Sequence, residues 1–384
     1  MKKLFYFGLL GLGLFEIFNV YFIMPMPGSQ QMNSIDIAYF LHSYRWFFRL
    51  GFGIMILAGG IPAFQVKRRW IPLATMIPVI AILYFVNFVM TADHMFLQPE
   101  KLIFQSRGQN ILSDSSIVVV VDLEGEAKAY PVRFIQYHHQ VRDTLAGKSI
   151  MVTYCNVCRT GRVFEPIVNG KIETFRLVGM DHFNAMFEDV TTKSWWRQST
   201  GEAITGSLKG TVLPEVESSQ ITLNKFFFLY PFGKVMQAEA SSIESYDTLG
   251  RFEKGRSKSK LTRTDSTSWK DKSWVVGILV DKKAKAYDWN DLKKLKIIHD
   301  AVGTTPIVVA LSADERSFVA FERSNGEEKF IIRNDSLISA PHHYDFAGRS
   351  ADGKKLKAVK AYQEFWHSWK TFHPDTEVYQ NNLN

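Results

Sequence analysis

The stretch VTYCNVCRTG, residues 152–161, holds Cys155 and Cys158, the only two cysteines in a chain of 384 residues. A Cys-x-x-Cys pair has four common uses: thiol–disulfide exchange, metal binding, covalent haem attachment and a tight structural disulfide. Haem attachment of the usual kind needs a histidine directly after the second cysteine, and Arg159 stands there. A disulfide closing so small a loop stabilises little through chain entropy, so a mere staple explains the pair poorly. Redox work needs one sulfur as a thiolate, favoured by a helix N-terminus or by nearby cations. The pair ends an apolar, strand-like run, and RTGRVFEP resumes a strand-like pattern. That pattern predicts a turn between two strands and departs from the thioredoxin arrangement. The cations at hand are then Arg159 and Arg162, with His138 as a third group able to tune a thiolate. Either cysteine can attack, with the other resolving.

The same turn is half of a zinc knuckle, whose other half has no cysteine to supply it. Further ligands would be histidines, carboxylates or methionines brought in by folding. His138 and His139 precede the turn at 143–147, and antiparallel pairing carries them towards residues 152–154. His182, in MDHFNAMF, is the other candidate. Outside the cytoplasm, a soft pair with Cys155, Cys158 and His138 or His182 as ligands suits Cu(I) or Zn. No other cofactor is indicated, because no Gly-rich phosphate loop, nucleophile-elbow serine or paired-carboxylate signature occurs.

Three apolar segments lie before residue 93. Segment 4–24 carries one charge, Glu16; its length of about 21 residues spans about 31 Å as a helix, a bilayer core. Segments 46–64 and 71–90 follow, the latter with no charge. The first is too long for the apolar part of a signal peptide, and MPMPGSQ lacks a small-x-small cleavage pattern. Lys2 and Lys3 precede the first helix, and Lys67, Arg68 and Arg69 join the second to the third. The positive-inside rule puts both clusters in the cytoplasm, so the chain beyond the third helix emerges on the extracytoplasmic (periplasmic) side of the inner, or plasma, membrane. His42, Arg45 and Arg49 cluster at the outer end of the second segment and read as interfacial residues. Membrane lipid is therefore one predicted partner. An unidentified thiol, disulfide or metal donor is the other, and a formal net charge of +8 does not point to nucleic acid in an extracytoplasmic protein. The basic stretch RFEKGRSKSKLTRTDSTSWKDK, residues 251–272, reads as a solvated linker or as a contact for anionic headgroups.

The rest of the chain repeats itself. VVVVDLEGEAKAYPVRFIQYHHQVRDTLAGKSIMVTYC, from Val118, parallels WVVGILVDKKAKAYDWNDLKKLKIIHDAVGTTPIVVAL, from Trp274. Both contain AKAY, Asp143 matches Asp300, and His138 falls opposite Leu295. Asn169-Gly170 and Asn325-Gly326 occupy the same place, and Asn-Gly between alternating strands predicts a type I′ hairpin. DWNDLKKLK predicts a short helix. Trp195, Trp196 and FWHSWKTFHPDTEV read as packing. The second half has VVALSADERS where the first has the cysteines. The fold class is thus a three-helix membrane region followed by a mostly antiparallel β (α+β) extracytoplasmic region built from two tandem repeats. Its domains are 1–93, membrane; 94–250, a first β-rich repeat with the cysteines; 251–272, linker; and 273–384, a second repeat without them.

EAKAYPVRFIQYHHQVRD, GKSIMVTYCNVCRTGRVFEP, SWWRQSTGEAITGSLKGTVL and FWHSWKTFHPDTEV together resemble an uncharacterised bacterial family, domain of unknown function number three-one-seven-nine. The resemblance spans roughly residues 115–380, with the cysteine turn its most specific block. Some members are described as selenoproteins, which implies redox chemistry. Carried over, Cys155 and Cys158 are the active pair and His138 sits at the family's histidine position. Asn156-Val157 replaces the usual Pro-Leu, and DHFNAMFED replaces a block closer to YNSNLVMYD. The leading expectation is a membrane-anchored protein with thiol–disulfide or related redox activity. A Cu or Zn protein, or a non-catalytic tethered scaffold, is the alternative.

Overall fold

A computed structural model describes residues 1–65 and 67–381. The chain forms two compact units, each described by itself: Met1–Leu97 with Glu173–Arg197 and Glu202–Val212, and the remainder.

In the first unit α1 spans Lys2–Tyr21, α2 Ile35–Ser43, α3 Arg45–Phe64, α4 Trp70–Tyr84 and α5 Ala92–Met95. A π-helical stretch, Phe85–Val89, extends α4. Three helices, Lys2–Tyr21, Arg45–Phe64 and Trp70–Val89, are long and apolar enough to cross a membrane, close to the expected spans. Helix α1 buries Phe5, Leu9, Gly13, Glu16 and Val20, three or four apart and so on one face. Small residues let the backbones approach: a Cβ on Gly59 of α3 would sit 2.3 Å from the Phe5 nitrogen. Glu16 is fully buried and accepts from Arg49 Nε and Nη2 at 2.7 and 3.0 Å. Asn87 closes the triad, 2.6 Å from Arg49 Nη2. These are charges an apolar bundle tolerates only when paired.

The first unit also contains a four-stranded antiparallel sheet in the order Ala203–Thr205, Trp195–Arg197, Asn184–Asp189, Phe175–Asp181. Its Val178, Met186, Trp195 and Ile204 pack with Val20, Ile23, Met24, Ala38 and Val86 of the helical part. Met180 donates to the Ile23 carbonyl at 2.7 Å, and a Cβ on Gly179 would meet that carbonyl at 2.4 Å. The expected boundary near residue 93 is therefore crossed: this stretch, read as part of the first β-rich repeat, clusters with the helices because its apolar face is covered there.

The second unit holds helices α6 (Val132–His138), α7 (Leu223–Leu229), α8 (Ile243–Leu249), α9 (Trp289–Leu295) and α10 (Trp366–Phe372). One sheet runs Phe104–Gln105, Lys234–Met236, Glu126–Pro131, Ile117–Leu123, Ser219–Thr222. Another runs Glu377–Val378, Lys283–Asp288, Trp274–Val280, Lys360–Phe365. In both, the neighbour of the AKAY strand on its outer side is parallel and the central pair is antiparallel. A three-stranded antiparallel sheet accompanies each, Gln140–Leu145, Lys148–Cys155, Thr160–Phe164 and Ile297–Val302, Thr305–Leu311, Phe318–Glu322. Side-chain bonds recur as well. Tyr130 donates to Asp143 at 2.7 Å and Tyr287 to Asp300 at 2.9 Å; Lys128 and Lys285 pair with the same carboxylates, each at 2.7 Å.

The two Asn-Gly sites differ. Asn169 and Gly170 both have positive φ, 51° and 74°, as a type I′ turn requires. Asn325 and Gly326 do not adopt it. The Asn325 side chain instead accepts from the Glu327 and Glu328 nitrogens, each at 2.9 Å, which builds the turn from the side chain.

Candidate functional site

Cys155 ends the Lys148–Cys155 strand and Thr160 opens the next, so the cysteines lie in the expected strand–turn–strand. Arg159 closes the turn at φ 56°, a left-handed conformation that costs a residue with a Cβ about 1–2 kcal/mol. Both cysteines are 0% exposed, and no disulfide joins them. Cys155 and Ser368 adjoin the Cys158 thiol. Burial pushes the Cys158 thiol well above the ordinary range, and the adjoining Cys155 pushes further; Ser368 and the Lys272 charge pull the other way.

Lys272 is the cation brought to the turn. Its Nζ donates to the Val157 carbonyl at 2.7 Å and lies 3.0 Å from His367 Nε2, which is itself 3.2 Å from the same carbonyl. It also sits 4.7 Å from the centre of the Phe365 ring. Burial lowers the Lys272 ammonium's pKa, and the charges of Cys158 and Cys155 oppose that. Burial, then Lys272, depresses His367 to about 4. The loop before Lys272 is held by reciprocal bonds: Asp265 N to the Lys272 carbonyl and Lys272 N to the Asp265 carboxylate, both 3.1 Å. The Phe365 nitrogen donates to the Cys158 carbonyl at 2.9 Å, so the end of the Lys360–Phe365 strand and the start of α10 wall the turn.

The sequence-predicted cations are engaged elsewhere. Arg159 donates to Gln363 at 3.0 Å and to the carbonyls of Phe252 and Glu253, each at 3.3 Å, with its guanidinium 3.7 Å from the Trp274 ring centre. Arg162 pairs with buried Glu364 and lies 3.2 Å from the centre of the Tyr362 ring. Glu364 accepts from Thr160 at 2.9 Å and from Ser368 at 3.0 Å. Arg162 thus reaches the thiols only through Glu364 and Ser368. Buried Phe252 and Glu253, together with Lys272, also mean that residues 251–272 are not a wholly solvated stretch.

His138 is fully buried, its Nε2 2.6 Å from the Tyr246 hydroxyl. His139 turns with φ 60° and gives its carbonyl to the Tyr154 nitrogen at 3.0 Å, as the antiparallel pairing implied for the backbone. Burial holds the His139 ring at about 4. His182 belongs to the unit containing the three long apolar helices, bonded to Asp181 at 2.7 Å and to Asn33 at 3.0 Å. Among the described residues, no group of three or more His, Cys, Asp or Glu side chains is arranged to hold a metal ion.

Lys272, His367 and Ser368 were invisible to sequence reasoning. Val157 lies 115 residues from Lys272 and 210 from His367, and no local pattern marks either. Ser368 and His367 sit inside the aromatic stretch read as packing. A family model described as Protein of unknown function (DUF3179) matches residues 100–376. No curated protein and no solved structure matches the chain.

Proposed function

We propose a function for this chain from one premise: it belongs to the DUF3179 protein family of unknown function. It is a membrane-anchored protein whose Cys155–Cys158 turn works as a dithiol/disulfide couple. Oxidation forms the Sγ–Sγ bond and releases two protons and two electrons to an acceptor of the disulfide or peroxide class. The observation that carries this reading is a Cys-x-x-Cys turn between two strands with the half-buried Lys272 ammonium bonded, at 2.7 Å, to the Val157 carbonyl between the cysteines. A cation so placed favours the thiolate that must attack.

The body around it is two tandem copies of one unit, one of them specialised. The shared strand order and the Tyr–Asp–Lys bonds support the duplication. Tyr154 receives the His139 carbonyl as Leu311 receives that of Lys296, which places Ser312 opposite Cys155. The soluble part faces outwards from the membrane, on the strength of Lys2, Lys3, Lys67, Arg68 and Arg69.

The test is equilibration of the full-length protein in detergent with mixtures of reduced and oxidised dithiothreitol. Remaining thiols are counted by maleimide tagging after unfolding. Both cysteines should convert together and reversibly, with unchanged circular dichroism. A pair that oxidises only when the protein unfolds rules the reading out.

A further inference from the structure

We propose that the second unit carries a binding site, apart from the cysteine turn, for a short peptide with both termini free and an apolar side chain. It stands independently of the redox reading above.

Four observations carry it. The first is space. A cleft of about 320 Å³ opens in the second unit, and neither cysteine lines it. That volume lies within the range of small-ligand pockets. The second is the floor. Val120 of the Ile117–Leu123 strand, Leu229 of α7, Val319 and Phe321 of the Phe318–Glu322 strand, and Phe346 line the cleft and belong to one apolar core. Such a floor takes up an apolar side chain from water.

The third is the order of the charges. The acids that line the cleft, Asp122, Glu215 and Glu217, precede the Ser219–Thr222 strand; the bases, Arg349, Lys355 and Lys360, all fall within residues 349–360. Some are already paired. Glu215 accepts from Lys360 at 2.7 Å and from the Tyr362 hydroxyl, and Arg349 pairs with Asp345 at 2.9 Å. Among the described residues Asp122, Glu217 and Lys355 enter no ion pair, so both signs are offered to a ligand. A singly charged ligand meets one sign that attracts it and one that repels it. A molecule with an ammonium and a carboxylate suits both.

The fourth is backbone. Ser219–Thr222 ends one sheet and Lys360–Phe365 ends another, and residues of both line the cleft. The outer peptide groups of an edge strand have no partner within their sheet and can pair with another backbone. That selects a peptide among dipolar ligands.

The experiment titrates full-length protein in detergent with leucyl-phenylalanine by isothermal calorimetry. The dipeptide should bind saturably, and its N-acetyl and C-amide forms should each bind about tenfold or more weaker. Lys355→Glu, at an exposed side chain, should weaken the free dipeptide about as much. Ser218→Trp puts a large ring into the cleft that Ser218 lines and should abolish binding. A dipeptide that does not bind at millimolar concentration overturns the peptide assignment. Capped forms that bind as well as the free one overturn the dipolar reading. Affinity unchanged in both variants overturns the cleft as the site. Phosphocholine that binds where the dipeptide does not reveals a dipolar ligand of another class, and the peptide falls. Should a variant fail to fold by circular dichroism, the wild-type protein answers instead: bound dipeptide should shield Lys355 from acetic anhydride, and an unshielded Lys355 overturns the site.

Discussion

Lys272 Nζ donates to the Val157 carbonyl at 2.7 Å, so a lysine from far along the chain is clamped onto the residue between the two cysteines. That bond positions the ammonium near both sulfurs, whose charges in turn act on it. Burial raises the Cys158 thiol, and a side chain that no cysteine motif contains pulls against that rise.

Replacing Lys272 by Met should raise the pH at which the first thiolate forms by about one unit, a tenfold change in proton affinity. Ultraviolet absorbance of the thiolate, followed against pH, reads this without a reagent having to reach the sulfurs. Lys272→Arg should keep most of the effect. An unmoved midpoint in the Met variant means the cation does not act on the pair.

Arg162 and Glu364 are 2% and 1% exposed and pair with each other. Removing one partner leaves a buried charge uncompensated, so Glu364→Ala should cost about 3–5 kcal/mol in urea unfolding, while Arg162→Met with Glu364→Leu costs much less. A double variant that loses as much as the Arg162→Met and Glu364→Leu variants added together would show that the pair is not coupled.

Two buried histidines make stability depend on pH. His139 and His367 are held at about 4 in the fold, against an ordinary 6.5. Below 6.5 the unfolded chain takes up protons that the folded one refuses. The stability is thus fully present above pH 6.5 and is lost as pH falls towards 4, by about 1.4 kcal/mol per unit per group. His139→Gln and His367→Gln should each flatten the slope of unfolding free energy between pH 6.5 and 4. A slope unchanged in both removes this explanation.

Helix α3 has two adjacent glycines with different surroundings. A Cβ at Gly59 would sit 2.3 Å from the Phe5 backbone nitrogen, whereas one at Gly60 meets nothing within 4 Å. Gly59→Ala should cost about 1–3 kcal/mol by overpacking, and Gly60→Ala should cost nothing measurable. Thermal melting in detergent compares them; equal melting temperatures would mean that α1 and α3 are not packed through Gly59.

Local chemistry alone determined a good part of this protein. Apolar length placed the three long helices to within a few residues, because a helix that buries no water-soluble face must be apolar all round. The apolar run and the cysteine-bearing turn placed strand, turn and strand, and AKAY with its matching aspartate marked the repeat, whose Tyr130–Asp143 and Tyr287–Asp300 bonds the structure then showed. Asn169-Gly170 obeyed its turn rule, but Asn325-Gly326 did not, because the Asn325 side chain offered the backbone a different set of bonds. Only the tertiary structure decided what surrounds the sulfurs. Arg159 and Arg162 were the nearest cations in sequence, yet Trp274 and Glu364 hold them, and Lys272 and Ser368 arrive instead. It also decided that the Phe175–Asp181 strand and its neighbours group with the helices. The reason is common to both: burial and electrostatic environment are sums over groups brought together by folding, and short-range patterns in a chain do not say which distant side chains those will be.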